Sequence, residues 1–126
     1  MMDYSVLHDA EINMKVCSAL GLGLSSYARI IRQDDATILL DDNKTLVDYC
    51  NNPADAWPII TENRIAIIPD SAEGEWVAFN EFTLYEGDWM FASDPAHHSN
   101  GKNPLRCAME SFLMMQESAN VQDNPA

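Results

Sequence analysis

Two adjacent histidines, His97 and His98, follow Asp94 in the polar stretch SDPAHHSNGK at residues 93–102. Histidines so placed could help to hold a metal ion, but a metal site needs more ligands converging in a defined geometry. Cys107 is near in sequence yet falls inside a predicted helix, beside its apolar stripe, so solvated loop histidines are the better reading. Cys50 could be a nucleophile, because it stands just before a predicted helix start, where a thiol pKa is lowered. Asp48 and Asp55 oppose this, since neighbouring negative charge raises a thiol pKa. Asp34-Asp35 and Asp41-Asp42-Asn43 suggest calcium, but alternate carboxylates, a central glycine and a distal glutamate are missing, and turns are expected. Gly21-Leu22-Gly23 has no Lys-Ser/Thr sequel and is no phosphate loop. No catalytic residue, metal site or cofactor is therefore expected. Trp57, Trp76 and Trp89 read as core. Trp89 has an alternative, because an aromatic beside Glu86-Gly87-Asp88 at a hairpin tip could anchor a partner. Glu86, Asp88 and Trp89 are thus the candidate partner-binding residues.

The elements that must position these groups follow from periodicity. Residues 9–20 predict a helix with Ile12, Val16, Ala19 and Leu20 on one face, stopped by Gly21 and Gly23. Residues 27–32 and 37–40 predict a hairpin across Gln33-Asp34-Asp35, and Asp41 to Lys44 is a second turn. Asn52-Pro53 reads as a helix start, with Asn as cap and Pro in the first position. Pro58 must kink or shorten that helix. Residues 64–69 predict a strand ended by Pro69, and residues 75–80 return from a turn at Asp70 to Gly74. Large apolar residues on both faces of 75–80 predict cover on both sides. Residues 82–85 and 89–92 form a possible hairpin, and residues 93–102 a polar loop. Asn103-Pro104 opens a last helix, with Leu105, Ala108, Met109 and Phe112 in its apolar stripe and Arg106, Glu110 and Glu117 on its wet side. The polar run from Ser118 to Ala126 is expected to fray.

The chain has 126 residues, which suits one domain, assigned to residues 1–118 with a flexible tail at 119–126. Its formal charge is −13, which opposes direct binding to nucleic acid or to an anionic membrane. Such charge keeps a protein dispersed, and it also suits docking on a basic surface, in the sharpest case by imitating DNA. Cys17, Cys50 and Cys107 are odd in number and form no CxxC pair, so buried reduced thiols in a reducing compartment are expected. The first residues, MMDYSVLHDAEIN, do not resemble a signal peptide, and no long apolar run predicts a membrane span, so a cytoplasmic protein is expected.

Residues 50–60 (CNNPADAWPII) with Glu62-Asn63 resemble the central signature of the NinX-like family, small accessory proteins of lambdoid phages and prophages. Asn103-Pro104-Leu105-Arg106-Cys107-Ala108-Met109, running on through Phe112 to Ser118, resembles the family's C-terminal helix. Asp9 to Asn13 with Val16, Ala19, Leu20 and Gly21 resembles its opening helix, although His8 stands where a small hydroxyl cap is expected. Residues 22–49 and 81–102 carry none of these matches. The element order also resembles the phage αβα-sandwich domain, which implies helices on both faces of a small sheet. Together these imply an α+β fold, with a mainly antiparallel sheet of four to six strands and about three helices. The resemblance implies no catalytic role. Asn52, Pro53, Asp55, Trp57, Pro58, Asn103, Pro104, Leu105 and Arg106 read as caps and core. The expected function is a non-enzymatic phage accessory protein that binds a host protein, with a DNA-imitating inhibitor as its sharper form. A small-ligand or nucleotide-binding domain and a homodimeric structural module are the alternatives.

Overall fold

The structure, a computed structural model, describes residues 3–25, 36–80 and 96–122. A 3-10 turn at Tyr4–Val6 leads into helix α1 (Asp9–Ala19). Strands β1 (Ile38–Leu39) and β2 (Leu46–Val47) precede helix α2 (Pro53–Glu62). Strands β3 (Ala66–Asp70), β4 (Glu75–Asn80) and β5 (Ala96–Gly101) then lead to helix α3 (Pro104–Gln122). The fold is α+β, as expected. Among the described residues its strands form an antiparallel pair β1-β2 and a three-stranded antiparallel sheet β3-β4-β5.

Helix α1 starts without a side-chain bond from His8, and the Glu11 carboxylate instead accepts from the His8 backbone N–H at 3.1 Å. That is the N3 half of a capping box. Ile12, Val16 and Cys17 are buried, and Asn13 is buried among them. Ala19 and Leu20 were expected on the same face but are exposed, because the stripe runs past the edge of the core. Gly21, at φ +76°, ends the helix: Leu22 N–H donates to Cys17 O at 2.9 Å and Gly21 N–H to Ser18 O at 3.0 Å. This Schellman arrangement requires a left-handed residue, which glycine supplies without strain.

The 37–40 run pairs with β2, in register Ile38 to Val47, and Leu40 also bridges Leu24; residues 27–32, the other arm of the expected hairpin, lie outside the described residues. The connecting turn is held by Asp42, whose carboxylate accepts from the N–H groups of Lys44 and Thr45, each at 2.8 Å. Those oxygens serve the turn, as the sequence suggested, and they hold the Asp42 carboxyl below its ordinary pKa.

Asn52 caps α2 by accepting from Ala54 N–H at 3.0 Å, with Pro53 behind it. The helix continues through Pro58 instead of stopping there. Thr61 Oγ donates to the carbonyls of Trp57 and Pro58, at 3.1 and 3.2 Å, and ties the turn around the proline. A second Schellman arrangement closes α2, with Ile65 N–H donating to Ile60 O and Arg64 N–H to Thr61 O. Here the left-handed residue is Arg64, at φ +54°, so β3 begins at Ala66 rather than at residue 64. A side chain in that conformation costs about 1–2 kcal/mol. Arg64→Gly is therefore expected to raise the melting temperature by a few degrees in a thermal scan. Gly21→Ala is expected to lower it by a similar amount.

Pro69 lies within β3 instead of ending it, which is tolerated because β3 is an edge strand among the described elements. The segment 96–101, expected as loop, is a strand on β4, in register Trp76 to Gly101. Two of its polar side chains find protein partners: Ser99 Oγ, buried, donates to Glu110 at 3.1 Å, and Asn100 Nδ2 to Glu75 at 3.0 Å. The possible hairpin over 82–92 lies outside the described residues. Helix α3 packs across β4 and β5, and α1 and α2 pack on α3. Ile12, Val16, Ile59, Ile60, Ala78, Met109 and Phe112 share one core. Ala78 and Phe79 point to opposite faces of β4 and are both buried, so cover extends to both faces there. Helix α3 reaches Gln122, so the run from Ser118, expected to fray, is helical that far. Among the described residues no helix is long and apolar enough to cross a membrane.

Candidate functional site

The three helices among the described residues begin at one point. Asn51, next to the cap of α2, donates from Nδ2 to Asp9 at the start of α1 at 3.2 Å, and to both oxygens of Asp48 at 3.2 and 3.1 Å. Asn103, the cap of α3, donates from Nδ2 to Asn51 Oδ1 at 3.1 Å and to Cys50 O at 2.8 Å. Its Oδ1 accepts from the N–H groups of Leu105 and Arg106 at 3.0 and 3.2 Å, so one side chain caps its helix and ties it to the next. Asp55 accepts from Asp48 N–H at 2.9 Å and folds the Asp48 turn onto α2. Three helix N-termini gather here, and their positive ends account for the carboxylates collected beside them.

Arg106 is the hub. Its Nε donates to Glu110 at 2.9 Å, its Nη1 to Asp9 at 2.6 Å and its Nη2 to the carbonyls of Tyr4, at 3.0 Å, and Leu7. The guanidinium thus joins the first turn of α3 to the chain entering α1. Burial works to lower its pKa, and Glu110 and Asp9 more than reverse that. Arg106, Glu110 and Glu117 were expected on the wet side of α3, and the structure corrects all three. Glu110 is buried and takes Ser99 on its other oxygen. Glu117 accepts from Tyr4 Oη at 2.8 Å. Asn13, fully buried, donates to Ala36 O and to Asp48, each at 2.9 Å, and accepts from Cys50 N–H at 3.1 Å. An amide beside Ile12 and Val16 on an apolar face was the available signal for it.

The three cysteines are free and buried. Cys50 has its thiol pushed well above its ordinary pKa, by burial first and by Asp9 second. Asp48 adds to the rise in the direction expected of it. A thiol so held is a poor nucleophile. Burial also raises Cys107 from 9 to about 11, and burial together with Glu117 raises Tyr4 from 10 to about 12. Groups that keep their protons longer in the folded state stabilise it fully below the unfolded pKa and lose that contribution as pH rises through the folded one. Stability is thus expected to fall between pH 9 and 11 through Cys107, and between pH 10 and 12 through Tyr4. Cys50 and Tyr49, which burial also raises, add to the fall, so urea midpoints measured across that range should drop and Tyr4→Phe should lessen the part above pH 10. A flat profile would contradict the assignment.

His97 and His98 do not lie in a loop. His97 sits in β5 at φ +55°, with Nδ1 2.7 Å from Oδ1 of buried Asn80, while His98 is exposed. Among the described residues, no three His, Cys, Asp or Glu side chains are grouped to hold a metal ion. Glu86, Asp88 and Trp89 lie outside the described residues. An open cleft of about 460 Å³ lies between α1 and α3, with buried Leu113 and the polar Lys15, Ser18, Gln116 and Glu117 among its walls.

Trp57 is the other correction. Expected in the core, it is 62% exposed. Helix α2 buries Ala56, Ile59 and Ile60, which turns residues 53, 54, 57 and 61 to the opposite side. The segment 50–63 therefore has two faces. Asn51, at its start, bonds into the junction of the helices, and its indole points outward.

The model of the family described as Bacteriophage P22, NinX matches residues 3–116, including the segments 22–49 and 81–102 that carried no recognisable motif. No curated protein matches the chain.

Proposed function

Because the chain belongs to the bacteriophage P22 NinX family, we propose that it is a non-enzymatic accessory protein that binds a bacterial host protein in the cytoplasm. The observation that supports this is the use made of its reactive groups. Arg106, Asn103, Asn51 and Asp9 spend their hydrogen bonds on one another and on backbone, and Cys50 is buried. What the central segment offers outside is an aromatic surface on a protein of charge −13. Binding to a basic partner would be steered by that charge and weakened by salt. The test is affinity capture from host lysate at low and at high salt, with retained proteins identified by mass spectrometry. A basic host protein retained in stoichiometric amount at low salt and released at high salt is expected. No specific partner under either condition would overturn the proposal.

A further inference from the structure

The outward face of α2 has a chemistry of its own, which deepens the host-protein reading and rests on it. Pro53, Ala54, Trp57, Pro58 and Thr61 are all exposed there. The two prolines fix their backbone angles, and Thr61 holds the carbonyls of Trp57 and Pro58, so the platform under the indole is rigid. Trp57 is 62% exposed, so much of the ring meets solvent. Pro58 has no N–H, so the carbonyl of Ala54, one turn before it, lacks its helical donor. An indole face attracts cations, and a carbonyl without a donor attracts N–H groups. Glu62, exposed on the same helix, and the charge of −13 add negative potential.

We propose that this face docks an arginine on a basic partner protein, its guanidinium stacked on Trp57 and one N–H donated to the Ala54 carbonyl. A guanidinium fits both demands at once, because it is planar and carries donors at its rim. An ammonium meets the charge demand but does not stack. A second copy of this chain is disfavoured, since two such faces would meet with like charge.

The test titrates the intact protein with a short oligoarginine peptide and with an oligolysine peptide of equal length. The indole N–H signals are followed by NMR, and that of Trp57 is assigned by its loss in Trp57→Ala. The Trp57 signal is expected to shift saturably with oligoarginine. Oligolysine should bind about threefold more weakly, and Trp57→Ala should weaken oligoarginine by a similar factor. Pro58→Ala returns a donor to the Ala54 carbonyl. It should raise the melting temperature yet weaken oligoarginine, which a purely structural proline would not do. An unmoved Trp57 signal, equal affinity for the two peptides, or unchanged binding by Trp57→Ala would overturn the proposal. So would a concentration-dependent doubling of mass that Trp57→Ala abolishes, since it would put a second copy on the face. These outcomes are separable from failure of the host-protein reading, which shows in lysate capture by the unmodified protein.

Discussion

Arg106→Met is expected to cost about 3–5 kcal/mol, enough to leave a domain of ordinary stability close to unfolding at 37 °C. The reason is what the substitution leaves behind. Glu110 is buried, with a side chain only 8% exposed, and Arg106 is its charge partner at 2.9 Å. Asp9 loses its ion pair at 2.6 Å, and the carbonyls of Tyr4 and Leu7 lose their donor. An uncompensated buried carboxylate is far costlier than the intact pair is favourable. Arg106→Lys should recover little, because one ammonium cannot reach all four acceptors. Arg106→Met combined with Glu110→Gln should be more stable than Arg106→Met alone, since the stranded charge is gone. Urea denaturation of the original protein, Arg106→Met, Glu110→Gln and the double variant forms a cycle from which the coupling is read directly. Additive losses would show that the pair does not act as described.

Asn13→Leu is expected to cost about 3 kcal/mol despite its matching branched shape and greater apolarity. Asn13 is fully buried on the face of α1 that carries Ile12 and Val16, a place where leucine would ordinarily be welcome. Its amide, however, satisfies the Cys50 N–H, the Ala36 carbonyl and Asp48 together. Leucine would leave the Cys50 N–H and the Ala36 carbonyl without this partner, and Asp48 held by Asn51 alone among its side-chain donors. The same denaturation measurement decides it, and a loss below about 1 kcal/mol would place the apolar contacts above the hydrogen bonds.

How much of this was legible in the sequence follows from the range of the interactions. Asn52-Pro53 and Asn103-Pro104 announce two helices because a cap and its helix lie within three residues of each other. Strand β4 and its turn were legible for the same local reason. Arg106 and Glu110 were not. In a helix, charges between apolar residues read as a solvated face, and the partners that draw them inward, Tyr4, Asp9 and Ser99, are set by tertiary packing. Strand β5 was missed because its side chains are polar and its stability comes from the β4 ladder. Trp57 was misplaced for the opposite reason: an aromatic residue in an apolar helix reads as core until the helix is seen to lie on the outside. The candidate residues Glu86, Asp88 and Trp89 lie outside the described residues.

Segment 50–63 divides in two: its caps hold the fold, and its exposed indole is the face proposed to meet a partner. Trp57→Ala tests that division most directly when its melting temperature and its capture of host protein are measured side by side with the unmodified protein. The expected result is a melting temperature within a few degrees of the original, because a residue 62% exposed contributes little to the core, together with loss of the captured partner. A large fall in melting temperature with capture retained would contradict the account, since Trp57 would then belong to the fold and the binding surface would lie elsewhere.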